Sequence, residues 1–187
     1  MKTLANKDGL LVRGVESVDI PILARWMSDL RVMEYYVVHP RSVSEEEVRG
    51  QFLSKGRDQA RDRSTGRFYE YRACIAEAEG RPVAFVQYHT LRYADSELFG
   101  YPSGRRTYVV DLFIGNPELW GKGLGTRIID LTRDYLCKAR RATRVVANPR
   151  ADNSRSIRAF EKARFRKVRL LRVNEKIPWD SWLMEYP

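Results

Sequence analysis

The sequence predicts an α/β (α+β) domain, on three observations. Segments with strand and helix periodicity follow in the order strand, two helices, three strands, helix, strand, helix, two strands. The apolar strand Thr107–Ile114 carries one acid, Asp111, and runs through a glycine-rich turn into the amphipathic stretch Thr126–Lys138. The chain has 187 residues, 43% hydrophobic and 31% charged, as expected of one globular domain with a sizeable core. That domain is expected over residues 10–187, with residues 1–9 as a short polar extension.

Leu10–Arg13 reads as the first strand. Asp19 is placed to cap a helix through about Ser28, whose apolar stripe is Ile22, Leu23, Trp26 and Met27. Leu30–Tyr36 continues into an aromatic patch, and Ser44 with Glu47 forms a capping box for a helix to about Leu53. Gly56–Gly66 is charged and reads as a loop. Phe68–Glu77 and Pro82–Thr90 are two strands joined by a hairpin turn at Ala78–Arg81, and Ala94–Arg106 reads as a long loop. After Thr107–Ile114 and the helix to about Lys138 come a strand Thr143–Ala147 and a helix from about Asn153 to Lys162. Strands Arg166–Val173 and Ser181–Tyr186 close the chain.

Composition narrows the class. No apolar run approaches the roughly 20 residues of a membrane span, and Met1–Gly9 lacks the apolar core of a signal peptide, so a cytoplasmic location is expected. Cys74 and Cys137 sit in apolar-periodic contexts and read as buried free thiols. Two histidines, His39 and His89, are too few for a metal site and are read as structural. The net charge of +10 is concentrated: Lys138–Arg172 holds 13 Lys/Arg against 2 Asp/Glu, and the remainder sums to −1. Such a wall directly after the glycine turn suits a phosphate-bearing ligand, while a general nucleic-acid partner is not expected.

In the turn itself, Gly121, Gly123 and Gly125 alternate before a helix, so backbone N–H groups can approach an anion at the helix N-terminus. The spacing is neither that of dinucleotide folds nor that of a P-loop, because Lys122 is followed by Gly123. An ordinary strand-to-helix turn would account for the glycines as well. The pattern Trp120-Gly121-Lys122-Gly123-Leu124-Gly125-Thr126 resembles the acyl-coenzyme A loop of the GCN5-related N-acetyltransferases (GNAT), and the element order matches their fold, a mixed central sheet flanked by helices. The resemblance implies that the strand bearing Asp111 splays from Thr143–Ala147 and admits the acyl-pantetheine arm.

Several segments look like the aminoglycoside 6′-N-acetyltransferases in particular. They are Arg25–Tyr36, Phe85-Val86-Gln87, Glu97 with Tyr101-Pro102, Val110-Asp111, Asn148–Phe165 and Trp182–Tyr186, in the same order along the chain. The resemblance implies acetyl-CoA as co-substrate, no metal, and an aminoglycoside as acceptor, in a monomer or homodimer. Amide formation needs a neutral amine, yet an alkyl amine with pKa ~10.4 is protonated at pH 7, and reaching the neutral form costs about 4.6 kcal/mol. A carboxylate can bind the ammonium and accept its proton; Asp111 is assigned that role, as base or as anchor. Backbone N–H groups at Phe113 and Ile114 are implied as oxyanion donors, the amides of Lys122, Gly123, Leu124, Gly125 and Thr126 as the pyrophosphate cradle, and Asn153 as a partner of the pantetheine arm. For the acceptor, Asp95, Glu97 and Asp111 supply charge, Tyr35 and Tyr36 flat faces (only one inward if they lie on a strand), and Gln87 and Asn148 polar contacts; Tyr93 is a further stacking candidate.

The chain departs from the family pattern at four positions. Trp120 stands where Gln or Arg is common, Phe160 where many members have an acidic Tyr, Asn148 where an acceptor-binding Asp is usual, and Arg164 where a glycine ends the helix. Asn148 bears most on the acceptor. Two other readings therefore stand beside the first: a GNAT enzyme acting on a siderophore hydroxylysine, a protein N-terminus or a polyamine, and a weakly catalytic RNA- or ribosome-associated module.

Overall fold

The structure, a computed structural model, describes residues 3–53, 59–61, 65–173 and 178–187. Its strands are β1 (Thr3–Lys7), β2 (Leu10–Gly14), β3 (Gln59–Arg61), β4 (Phe68–Ala78), β5 (Arg81–Leu91), β6 (Gly104–Ile114), β7 (Arg144–Ala147), β8 (Arg166–Leu171) and β9 (Ser181–Tyr186). Its helices are α1 (Ile20–Ser28), α2 (Leu30–Met33), α3 (Glu45–Phe52), α4 (Tyr93–Phe99), α5 (Leu124–Ala139) and α6 (Ser154–Lys162). Among the described residues the strands form one sheet in the order β1-β2-β4-β5-β6-β7-β9-β8, with β3 beside the start of β4. Only β6 and β7 run parallel; the other pairs are antiparallel, so the sheet is mixed as expected.

Side chains alternate across each strand, and the two faces take different helices. Val12, Cys74, Val86 and Val110 pack on one face against Ile128, Ile129 and Leu136 of α5 and Ile157 and Phe160 of α6. Ile75, Phe85 and Phe113 pack on the other against Ile20, Leu23 and Trp26 of α1 and Val48 and Phe52 of α3. On that second face a separate cluster of Leu91, Phe99, Val109, Val146, Leu171 and Leu183 lies farther along. Between the two clusters the register places Gln87 opposite Asp111 and His89 opposite Val109. The polar residues thus interrupt an otherwise apolar face.

Four expectations need correction. Residues 3–7 are not an extension: they pair with β2 around an Asp8-Gly9 turn with φ of 49° and 74°. Asp-Gly is a strong signal for such a hairpin, but β1 is a polar edge strand without an apolar period. The stretch read as Gly56–Gly66 loop includes β3, paired with Phe68–Glu70; residues 54–58 and 62–64 lie outside the described residues. Ala94–Arg106 contains α4 and the first residues of β6. The last correction concerns residues 172 and 173, which follow β8 and are not part of it.

The capping box at α3 forms as read, whereas Asp19 makes no side-chain cap at α1. Ser44 and Glu47 bond reciprocally at α3, with Glu47 N–H to Ser44 Oγ at 3.2 Å and Ser44 N–H to Glu47 Oε2 at 2.8 Å. Asp19 precedes α1, but its carboxylate is taken by buried Arg13 at 2.6 and 2.8 Å and by the Glu16 N–H. Glu77 also accepts from Arg13, which ties β2 to β4 and to the start of α1. Among the described residues no helix is long and apolar enough to cross a membrane. Cys74 is a buried free thiol and Cys137 a half-buried one.

Arg164 ends α6 in the left-handed region at φ 67°. Its N–H bonds the Glu161 carbonyl and the Phe165 N–H the Phe160 carbonyl, while the rings of Phe160 and Phe165 meet edge to face at 5.1 Å. This is a Schellman ending, in which the left-handed residue is best a glycine. Arg164→Gly should therefore stabilise the chain by about 0.5–1 kcal/mol, read as a rise of about 1–4 °C in thermal midpoint.

Candidate active site

The pairing of β6 with β7 covers only Thr107↔Arg144, Tyr108↔Val145 and Val109↔Val146. Beyond Val109 the strands part. β6 runs on to Ile114 beside β5, whereas the chain after β7 stays with β9: Trp182 N–H bonds the Pro149 carbonyl and Ala151 N–H the Asp180 carbonyl. A cavity of about 680 Å³ lies over this parting. The unpaired stretch Val110–Ile114 lines it, so Phe113 and Ile114, the expected oxyanion donors, border it with backbone that has no β7 partner.

At one end of the cavity stands the glycine turn. Gly121 and Gly123 have φ of 76° and 79°, a conformation that only glycine adopts without strain, and Gly123 is the N-cap of α5. Among the described residues no side chain caps this helix, so the N–H groups of its first turn are open to an anion. Gly123, Gly125 and Thr126 line the cavity. Lys122 is exposed and Leu124 is buried in the core, so both could serve the cradle only through backbone. A Cβ at Gly125 would meet Ile114 and Ala159 at ordinary contact distances, so space does not require that glycine.

The cavity wall beside the turn is basic. Arg155, Arg158 and Lys162 of α6 line it, and the Arg155 guanidinium lies 4.1 Å from the Trp120 ring centre. Trp120 also donates its indole N–H to the Ile114 carbonyl at 3.1 Å. Much of the remaining positive segment is paired: Arg140 with Glu70, Arg144 and Arg166 with Glu185, Arg150 with Asp152, Lys167 with Glu161 and Arg172 with Asp180. Asn153 lines the cavity while its Oδ1 accepts from the Ser156 N–H at 3.1 Å, leaving its NH2 group to a ligand. Phe160, also in the lining, has no proton to give.

At the other end lies Asp111. Gln87 donates to its Oδ2 at 3.2 Å, and Tyr71 donates to Gln87 Oε1 at 2.9 Å. Burial raises the Asp111 carboxyl above its ordinary range, opposed by nearby His89 and the Gln87 hydrogen bond. Tyr35 and Tyr36 both line the cavity, because they sit in a turn after α2 and not on a strand. Tyr36 packs edge-on at 4.8 Å against Phe113, and its buried hydroxyl has no hydrogen-bond partner among the described residues. Tyr35 lies under Arg150, which also stacks on Trp179 and donates to the Glu34 carbonyl. Asn148 and Asp95 line the cavity, Asp95 bridged to Arg92 at 2.5 Å.

Glu97 does not join this group: it is exposed on α4 and absent from the lining, because the helix turns it to solvent. Tyr93 is likewise 53% exposed, stacked with Arg67. Sequence reasoning missed Arg31, Arg92, Arg150 and Trp179 in the lining and read His89 as structural, although it lines the cavity. The two-residue step from Gln87 puts His89 on the same strand face, a signal that was available.

The acetyltransferase (GNAT) domain family matches the chain over residues 16–173. The chain belongs to that family. It is an acetyltransferase domain, with acetyl-CoA as acetyl donor. The GNAT chain is 21% identical over 162 residues to the aminoglycoside N(6′)-acetyltransferases type 1 of Klebsiella pneumoniae and of Serratia marcescens, covering 87% of this chain and 76% of each relative. An aminoglycoside acetyltransferase solved with coenzyme A and kanamycin superposes with a TM-score of 0.71 at 18% identity, over 95% of this chain and 94% of that one. A spermidine N-acetyltransferase from Vibrio cholerae, solved with CoA and spermine, gives 0.69 at 16% identity, over 96% of each chain. At these identities the superpositions establish the fold.

Two outcomes follow from the geometry. A carboxyl raised by burial is most favourable to folding when protonated, so its contribution is lost as pH rises through the raised value. Asp111→Asn should therefore melt higher than wild type at pH 7, with the gap closing as pH falls towards ~4, in thermal scans across pH. Gly123→Val forces a β-branched residue into positive φ and should raise KM for acetyl-CoA about tenfold with a smaller effect on kcat, in a thiol-release assay.

Proposed function

We propose that the chain transfers the acetyl group of acetyl-CoA to a primary amine held at Asp111, with the 6′-amine of an aminoglycoside as the first candidate. The observation that carries this reading is one cavity with a half-buried carboxylate at one end and an uncapped helix N-terminus with a basic wall at the other. The relatives' acceptors support the aminoglycoside. Acetyl-CoA supplies an activated acyl thioester.

Each group of the chain then has a task. The N–H groups of the glycine turn, with Arg155, Arg158 and Lys162, hold the phosphates, and the Asn153 amide bonds the pantetheine arm. Asp111 attracts the acceptor's ammonium and takes up proton density from it, and Gln87, fixed in turn by Tyr71, holds the carboxylate in place. The rings of Tyr35 and Tyr36 line the acceptor end and offer it flat faces. Backbone N–H groups near Phe113 and Ile114 stabilise negative charge developing on the acyl oxygen. With Cys74 and Cys137 as free thiols, the cytoplasm is the location this reading assigns.

A second reading is favoured by the acceptor end itself. Asp95 is committed to Arg92, Asn148 is neutral, and Arg31 and Arg150 face the same cavity. That lining is sparing in free negative charge for a polycation and better suited to an acceptor of lower positive charge, such as a siderophore hydroxylysine or a protein N-terminus.

Thiol release from acetyl-CoA with kanamycin, tobramycin and gentamicin, beside hydroxylysine and a short peptide, tests both. Turnover with an aminoglycoside, falling at least about 100-fold in Asp111→Asn, is the expected result. Turnover confined to hydroxylysine or the peptide would replace the aminoglycoside by the second reading. Turnover unchanged by the substitution would remove Asp111 as the proton acceptor.

A further inference from the structure

His89 is a cavity residue that the acetyl-transfer reading leaves without a task. It follows Gln87 by two residues on β5, so its ring stands on the same sheet face as Gln87 and Asp111. Its Nδ1 lies 2.9 Å from the Thr90 carbonyl oxygen. A carbonyl can only accept, so Nδ1 carries the hydrogen, and the neutral ring keeps its lone pair on Nε2. Among the described residues no hydrogen bond occupies Nε2, and the ring lines the cavity. A histidine that only filled the sheet face would have no need of an open basic nitrogen in a cavity beside a carboxylate.

The surroundings favour exchange of a proton between the two groups. Burial lowers His89 from its ordinary 6.5, while Asp111 and the Thr90 carbonyl hold it up. Burial raises Asp111 from 3.8, while His89 and Gln87 hold it down. The two affinities move towards each other, and each group is the other's electrostatic neighbour. The other charged and titratable groups about the pair are Arg92 and Asp95, from the end of β5 and from α4, and the phenols of Tyr36, Tyr69 and Tyr71. Tyr69 meets the imidazole edge to face at 5.6 Å.

We propose that His89 is a second proton acceptor of this site, with Nε2 receiving the proton that the acceptor amine surrenders beside Asp111. The inference rests on the acetyl-transfer reading. The N–H bond of the ammonium breaks, its electron pair stays on nitrogen as the attacking pair, and a new N–H bond forms at Nε2. Asp111 faces the resulting imidazolium and offsets its charge. Going from ammonium to amide, nitrogen gives up two protons: the released thiol accounts for one, and the other leaves to water. Two acceptors at one locus let Asp111 keep its hold on the amine while the proton moves to His89.

His89→Asn separates this role from a structural one, because the shorter amide can still donate to the Thr90 carbonyl while Nε2 is removed. With the best amine of the panel, the expected result is a kcat about 100-fold lower, KM for the amine within about threefold, and an acid limb of kcat/KM displaced from that of wild type. A kcat within threefold of wild type with an unmoved profile would overturn the proposal. The second arm needs no acceptor and guards against misfolding of the variant. In 15N-histidine-labelled wild-type protein, which holds two histidines, His39→Gln assigns the His89 signal. A ring protonated at Nδ1, titrating below 6.5 and lower still in Asp111→Asn, supports the proposal. A ring protonated at Nε2, or a midpoint that ignores Asp111→Asn, overturns it. Wild type inert towards every amine would instead overturn the acetyl-transfer reading, a result distinct from either.

Discussion

Val109 is the last residue of β6 to pair with β7, and the site exists because the two strands part there. Backbone N–H and C=O groups without partners are expensive to bury, about 1–3 kcal/mol each, so a strand left open over several residues must be held open by its surroundings. Here β5 keeps β6 on one side through Ala84↔Ile114, and β9 keeps the chain after β7 on the other, as far as the Arg150↔Ser181 bridge. Pro149 also lacks the N–H that a continued ladder would use. The gap is therefore a product of two good pairings that compete for direction.

The same parting sets the electrostatics. Along α6 the lining is positive, with Arg155, Arg158 and Lys162; towards the second sheet face it holds a carboxylate whose charge is poorly solvated. Phe85, Phe113 and Tyr36 make the neighbourhood of Asp111 apolar, and that raises its proton affinity. Gln87 and Tyr71 give the carboxylate a fixed orientation without neutralising it. Arg92 and Asp95 form a pair at the rim, and Arg150, stacked between Tyr35 and Trp179, joins three segments across the mouth.

What the sequence made legible follows from what each signal is. Amphipathic segments such as α5 and the strands of the central hairpin announce themselves, because burial writes a period into the chain. The edge strand β1 has no such period, so the sequence reads it as an extension although the Asp8-Gly9 turn is a hairpin signal. The two-turn α4 is too short to show one, and the resemblance that points Glu97 to the acceptor pocket carries no sign that the helix turns it away. Asp111 could be read as a lone acid in an apolar strand. Arg150 and Trp179 could not, since their meeting with Tyr35 depends on three loops brought together by the sheet. His89 fell between these cases, legible by its step from Gln87 but not by its company.

β8 closes the sheet at one edge, and its first four residues, Arg166, Lys167, Val168 and Arg169, are all exposed. An edge strand offers unpaired backbone to any other strand that arrives, the first step of open-ended association between chains. The three cations along this margin are engaged within the chain: Arg166 with Glu185, Lys167 with Glu161, and Arg169 with the Leu98 carbonyl. A strand arriving at this margin would therefore meet side chains already committed to β9, α6 and α4, so that part of the arginine surplus serves as fastening for the outermost strand.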